Sequence, residues 1–114
     1  HAHNNMMLAY ANTIEALIAG ANRLDVTIHG LGRGAGNCPS ELLLMFLKNP
    51  KFRVRPILEC VERYLFPLRA KIPWGYSIPH AISGALNRHP RESMAWMESE
   101  RADRIVEFYD RMLE

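Results

Sequence analysis

Little in this chain of 114 residues is present in excess. There are two cysteines, Cys38 and Cys60, without C-x-x-C spacing. Thiols so far apart make no disulfide framework, which argues against a small secreted scaffold and for a reducing, cytoplasmic setting. Charge of one sign is also missing: 14 Lys and Arg face 12 Asp and Glu, for a formal charge of +2. The basic side chains are scattered from Arg23 to Arg111, mostly among carboxylates. No stripe follows a phosphate backbone, so the pattern argues against a nucleic-acid partner. The longest apolar run, Leu42 to Leu47, is far short of the roughly 20 residues that span a bilayer, so no membrane role is expected. No charged-then-apolar leader, internal repeat or low-complexity stretch is visible. What is there is a core-forming composition, 48% hydrophobic and 23% charged.

The sequence begins at His1 without an initiator Met, which suggests a segment excised from a longer protein. His1-Ala2-His3-Asn4-Asn5 places two imidazoles two residues apart. If both lie on one extended strand, their side chains share a face and suit a divalent cation with open positions. A tag remnant is the bland alternative for these two residues. The second informative stretch is Gly30-Leu31-Gly32-Arg33-Gly34-Ala35-Gly36-Asn37, with glycine at alternate positions. Gly34 and Gly36 can let backbone N–H groups approach an anionic substrate beside a helix start. They also suit a tight turn that needs positive φ. The spacing is neither a dinucleotide fingerprint nor a Walker loop.

Between these motifs, Leu8, Ala11, Ile14 and Ile18 recur at helical spacing and predict a helix from Met7 to Ala19, capped by Asn4 or Asn5 and stopped by Gly20. Arg23 to Ile28 reads as a short strand. Pro39 is placed as the first residue of a helix reaching about Lys48. The order is a β/α repeat with parallel strands. After Asn49-Pro50 the pattern turns helical. A helix starts at Pro56 and is disrupted at Pro67, and an aromatic loop follows at Ile72 to Tyr76. Ser77 caps a helix from Pro79 to Leu86, Pro90 opens another to about Met97, and Glu100 to Leu113 forms the last. Cys60 is expected in the core of its helix, and Cys38 is expected to be structural. His29 and His80 read as surface or hydrogen-bonded structural histidines, and Arg33 as solvated.

His1-x-His3-Asn4, Ala11-Asn12 and Gly34-Ala35-Gly36-Asn37 together resemble the metal-dependent aldolase and acyl-CoA condensing-enzyme superfamily. That superfamily includes hydroxymethylglutaryl-CoA lyases, isopropylmalate synthases and 4-hydroxy-2-oxovalerate aldolases. The likeness spans about residues 1–49, and the helices with Gly75-Tyr76 look most like the pyruvate aldolase branch. It implies an α/β fold: the last two strand–helix turns of a (β/α)₈ TIM barrel over residues 1–49, then a helical extension over 50–114. As an isolated chain this would be mostly helical.

The resemblance implies that His1 and His3 ligate Mn²⁺ or Mg²⁺, with Zn²⁺ also compatible with the donors. It implies that Asn37 reaches the metal, although Asn37 also suits a loop end or a cap for the next helix. Tyr76 would assist proton transfer, or else serve as an aromatic lid or core residue. The implied reaction is reversible cleavage of a 4-hydroxy-2-oxo acid to pyruvate and an aldehyde, with the general base and an Arg supplied from elsewhere. Condensation of an acyl-CoA with a 2-oxo acid is the alternative chemistry. A non-catalytic helical association module is the alternative outside enzymes. A homodimer is expected, with an aldehyde dehydrogenase as a further partner.

Overall fold

The computed structural model describes residues 1–114 and contains helices, turns and loops but no β-strand. Helix α1 (Ala9–Ile18) is followed by a 3₁₀ turn (Ile28–Gly30), the glycine loop and α2 (Ser40–Leu47). A helical rod then runs through α3 (Arg55–Cys60), a π-helical segment (Val61–Leu65) and α4 (Phe66–Lys71). Three short helices complete the chain: α5 (Ile78–Ala85), α6 (Arg91–Met97) and α7 (Ile105–Leu113).

The strand expected from Arg23 to Ile28 does not form, because a strand exists only where a neighbour pairs with it along its length. Pairing is confined to Thr27, whose N–H donates to the Cys38 carbonyl at 3.0 Å while its own carbonyl accepts from Ser40 N at 2.8 Å. This leaves one parallel bridge between Thr27 and Pro39, and a second, antiparallel one joins His3 to Asn37. Pro39 precedes α2 in an extended conformation instead of occupying its first turn. The helix closes at Lys48, whose left-handed backbone turns the chain away.

Pro67 does not disrupt the helix as its sequence predicts. A proline lacks the N–H and collides with the carbonyl four residues earlier in a regular α-turn. Here the preceding turn widens, and Phe66 N–H bonds to the carbonyl of Val61, five residues back. The π-segment thus absorbs the mismatch, and the rod continues to Lys71.

Burial is shallow and divided. Ala9, Cys38 and Leu43 form one small cluster where α1 meets α2. Val61, Leu65 and Trp74 form a second along the rod. Trp96, Phe108 and Met112 form a third between α6 and α7. Cys60 lies at the edge of the second cluster, half-buried. The molecule is a slab of 49 × 35 × 15 Å with a radius of gyration of 15.8 Å. A compact domain of about 100 residues has a radius of gyration of about 13 Å. Flatness leaves Leu17 and Ile18 of α1 and Leu42, Met45 and Phe46 of α2 exposed. No helix is long and apolar enough to cross a membrane.

Candidate functional site

The glycine loop is built by backbone hydrogen bonds that tolerate no side chain. Gly30 carbonyl accepts from Asn37 N at 3.1 Å, and Gly36 carbonyl accepts from Asn4 N at 3.0 Å. Gly36 takes φ 79°, and a Cβ there would collide with the Gly30 carbonyl oxygen. Asn4 extends the arrangement into α1, its Oδ1 accepting the Ala9 N–H at 3.2 Å. The amino-terminal residues are therefore stitched onto the loop, and the His3–Asn37 bridge is part of that seam.

His1 and His3 lie on one side of the seam, with ring centroids 4.9 Å apart and planes at 71°. Both are exposed, and they line a cleft of about 360 Å³ with Asn12, Arg23 and Asp25. His1 Nδ1 is 3.6 Å from Asp25 Oδ2. Asn37 is buried; its Nδ2 donates to the Leu31 carbonyl at 3.1 Å, while its Oδ1 has no partner. A buried amide oxygen without a donor has a lone pair to offer.

Tyr76 stands elsewhere, half-exposed at the rim of two adjoining clefts. One, of about 300 Å³, includes Asn37, Glu41 and Arg69; the other, of about 220 Å³, includes Gly34 and His80. The Trp74–Tyr76 loop is fastened across the glycine loop by Gly75 N–H donating to Gly34 carbonyl at 3.0 Å. The residues singled out in the sequence thus fall into two groups. His1 and His3 share one cleft, Asn37 and Tyr76 share another, and the His3–Asn37 bridge joins them. Gly34 lines the third cleft, whereas Gly36 serves the turn.

The donor set suits a divalent cation as a partial site. Two imidazoles stand side by side in one cleft, while the orphaned, buried oxygen belongs to Asn37, which lines the neighbouring cleft. No group of three His, Cys, Asp or Glu side chains able to hold a metal occurs in this chain. A hard cation such as Mn²⁺ or Mg²⁺ needs oxygen ligands besides, so a carboxylate from outside the chain would have to complete the set.

Other features were not visible in the sequence pattern. His29 adopts φ 55°, where its N–H donates to Glu41 Oε2 at 3.0 Å. Its carbonyl accepts from Trp74 Nε1 at 3.0 Å, and its Nε2 lies 3.2 Å from Arg69 Nη1. His80 is 1% exposed, packs its ring against Gly34 and leaves Nδ1 without a partner. Burial pushes its imidazole below the ordinary value, so the ring is held neutral. Cys38 is fully buried; burial raises its thiol, Thr13 opposes that through a hydrogen bond, and Glu41 adds to it. A thiol so raised is structural. The sequence offers only spacing for such residues, and His29 and His80 are 51 positions apart.

Comparisons with known proteins agree with the sequence motifs. The chain is 44% identical to a 4-hydroxy-2-oxovalerate aldolase from Thermus thermophilus over 72 residues, 60% of this chain and 21% of that protein. It is 56% identical to an oxaloacetate decarboxylase from Mycobacterium tuberculosis over 48 residues, 42% of this chain and 14% of that protein. The matched region thus spans about a fifth or less of the length of these relatives. The crystallised N-terminal domain of a protein assigned as an aldolase from Bacteroides vulgatus superposes with a TM-score of 0.74 at 36% identity, covering 93% of this chain and 36% of that one. The model of the HMGL-like family matches residues 1–62, more than half of the chain, and this chain belongs to that family.

Proposed function

We propose that the chain is the closing part of a metal-dependent, class II aldolase barrel that cleaves a 4-hydroxy-2-oxo acid to pyruvate and an aldehyde. Residues 1–49 would supply the last strand–helix turns, and residues 50–114 a helical extension. The flat shape and the exposed apolar faces of α1 and α2 support this reading, because further barrel elements would cover those faces. The carrying observation is the pair of adjacent His1 and His3 rings, bridged through the backbone to an Asn37 whose Oδ1 lacks a partner.

In this proposal His1 and His3 hold Mn²⁺ or Mg²⁺, as the family resemblance implies, with Asn37 Oδ1 as an oxygen donor; the same donors are also compatible with Zn²⁺. Bound there, the cation supplies Lewis acidity toward the carbonyl and carboxylate of the 2-oxo acid. Gly34 keeps the rim free of a side chain so that the acid can lie against the backbone, and Gly36 lets the substrate loop close on Gly30. Tyr76 stands at the rim of the cleft lined by Asn37, where its hydroxyl can hydrogen-bond to the substrate's 4-hydroxyl and assist passage of its proton to the base. The bond between C3 and C4 breaks, and the hydroxyl proton leaves to a base as the aldehyde carbonyl forms. The electron pair stays with the pyruvate fragment as an enolate, which takes a proton at C3 to become pyruvate. The base that takes the hydroxyl proton, and an Arg beside the enolate oxygen, would come from other strands. The Trp74–Tyr76 loop, pinned to Gly34, gives the extension a part in this rim. A homodimer, an associated aldehyde dehydrogenase and a cytoplasmic location complete the proposal.

The deciding experiment is calorimetric Mn²⁺ titration of the intact protein, paired with an assay of pyruvate release. Substituting His1→Ala and His3→Ala together is expected to weaken Mn²⁺ binding by at least about 100-fold and to abolish turnover. Undiminished metal binding in the double variant would overturn the assignment.

A further inference from the structure

The cleft shared by Asn37 and Tyr76 contains a single Arg or Lys, Arg69, and this cation forms no ion pair with any carboxylate of the chain. Its guanidinium carbon sits 5.9 Å from the centroid of the Trp74 ring. A Cβ on Gly75 would approach Nη2 to 2.9 Å, so glycine at that position keeps the fork unobstructed. Nη1 donates to His29 Nε2 at 3.2 Å. Because a guanidinium can only donate, Nε2 must be the accepting nitrogen and the ring proton belongs on Nδ1. That nitrogen faces Glu41 Oε1 at 3.6 Å. Glu41 is itself occupied, accepting from His29 N–H at 3.0 Å and from the Ser40 hydroxyl at 3.4 Å. Glu41 and His29 thus orient the guanidinium while using one of its five N–H donors.

We infer that Arg69 receives a carboxylate at the end of the substrate remote from the cation, so that the preferred substrate is a dicarboxylic 2-oxo acid. This rests on the aldolase reading, in which the first carboxylate lies at the His1–His3 end. Asn37 joins the two ends: its backbone pairs with His3, and the residue lines the cleft that holds Arg69. A planar fork that lies over an aromatic ring, is oriented by His29 and is unpaired matches a carboxylate in bidentate geometry. A monocarboxylic substrate would leave that fork without an anion. Arg69 is then a specificity-determining residue supplied by the helical rod, not by the barrel portion.

The test compares pyruvate release by the intact, Mn²⁺-loaded protein from a 4-hydroxy-2-oxo diacid and from its analogue with methyl replacing the far carboxylate. Wild type is expected to favour the diacid. Arg69→Gln is expected to lower kcat/KM for the diacid about 30-fold and for the monoacid less than about threefold, with Arg69→Lys intermediate. Equal losses on both substrates, or no loss on the diacid, overturn the inference. If neither compound is cleaved, the aldolase reading fails, and calorimetric titration with malonate decides the anion site separately. Malonate binding that disappears in Arg69→Gln upholds it. Binding that survives the substitution, or no binding to wild type, overturns it.

Discussion

The glycine-loop half and the helical half of this chain hold their shape by different means. Residues 1–47 bury only Ala9, Cys38 and Leu43 as an apolar cluster, and rely on backbone hydrogen bonds among Asn4, Gly30, Gly36 and Asn37. Residues 55–113 carry two apolar clusters, built on Trp74 and on Phe108, together with a conventional helix cap at Ser77. The first half therefore has geometry that depends on the absence of side chains, whereas the second depends on their presence. The candidate ligands and the loop sit on the first, and the second lays Trp74, Gly75 and Tyr76 over it.

The largest expected effect comes from adding one methyl group to the first half. Gly36→Ala places Cβ into the Gly30 carbonyl at positive φ and is expected to cost about 4 kcal/mol or more in urea denaturation of the intact protein. Gly20→Ala, also at positive φ but with open space around it, is expected to cost about 1 kcal/mol. Similar costs at the two positions would show that the close approach of Gly36 to the Gly30 carbonyl contributes nothing to the first half. In the second half the corresponding injury is removal: Phe108→Ala empties a site that is 1% exposed and is expected to cost about 3 kcal/mol. Mn²⁺ affinity is expected to survive that change and to fall with Gly36→Ala, which calorimetry would read.

His80 lies where the halves meet, and its effect is smaller and depends on pH. Because burial depresses its folded pKa, both states are neutral well above the ordinary imidazole value of about 6.5. Below that value the unfolded chain takes up a proton that the folded chain refuses, so stability falls with acidification until the folded pKa is reached. His80→Phe is expected to flatten the urea-midpoint profile between about pH 7 and pH 5. An unchanged slope would show that the ring titrates as freely as in the unfolded chain. A loss as small as that of Gly20→Ala belongs to Ser77→Ala, which removes the hydroxyl that accepts His80 N–H at 3.3 Å and should cost about 1 kcal/mol.

The helices were legible to the extent that their signals were local. Ser77 caps α5, and the apolar spacing of Phe108 and Met112 marks the buried side of α7. The segment from Glu100 shortened to a helix starting at Ile105, since residues 100–104 lie in turns or loop. The predicted stop at Pro67 was wrong because a proline signal does not say whether a widened turn precedes it. The predicted strand was wrong because pairing is a property of neighbours, and only Thr27 has one. At the site, the spacing of His1 and His3 indicated their shared face, but nothing local indicated that Arg69 would meet His29 from 40 positions away.

By itself the sequence determined where glycine is needed, which residue types offer lone pairs to a cation, and which segments turn helically. These are short-range properties, fixed by side-chain volume, donor chemistry and backbone preference within a few residues. Only the tertiary structure decided that His3 lies against Asn37, that Trp74 roofs the loop, and that Arg69 is left without a counter-ion. Those are relations between distant segments, set by which surfaces bury each other, and no local pattern encodes them.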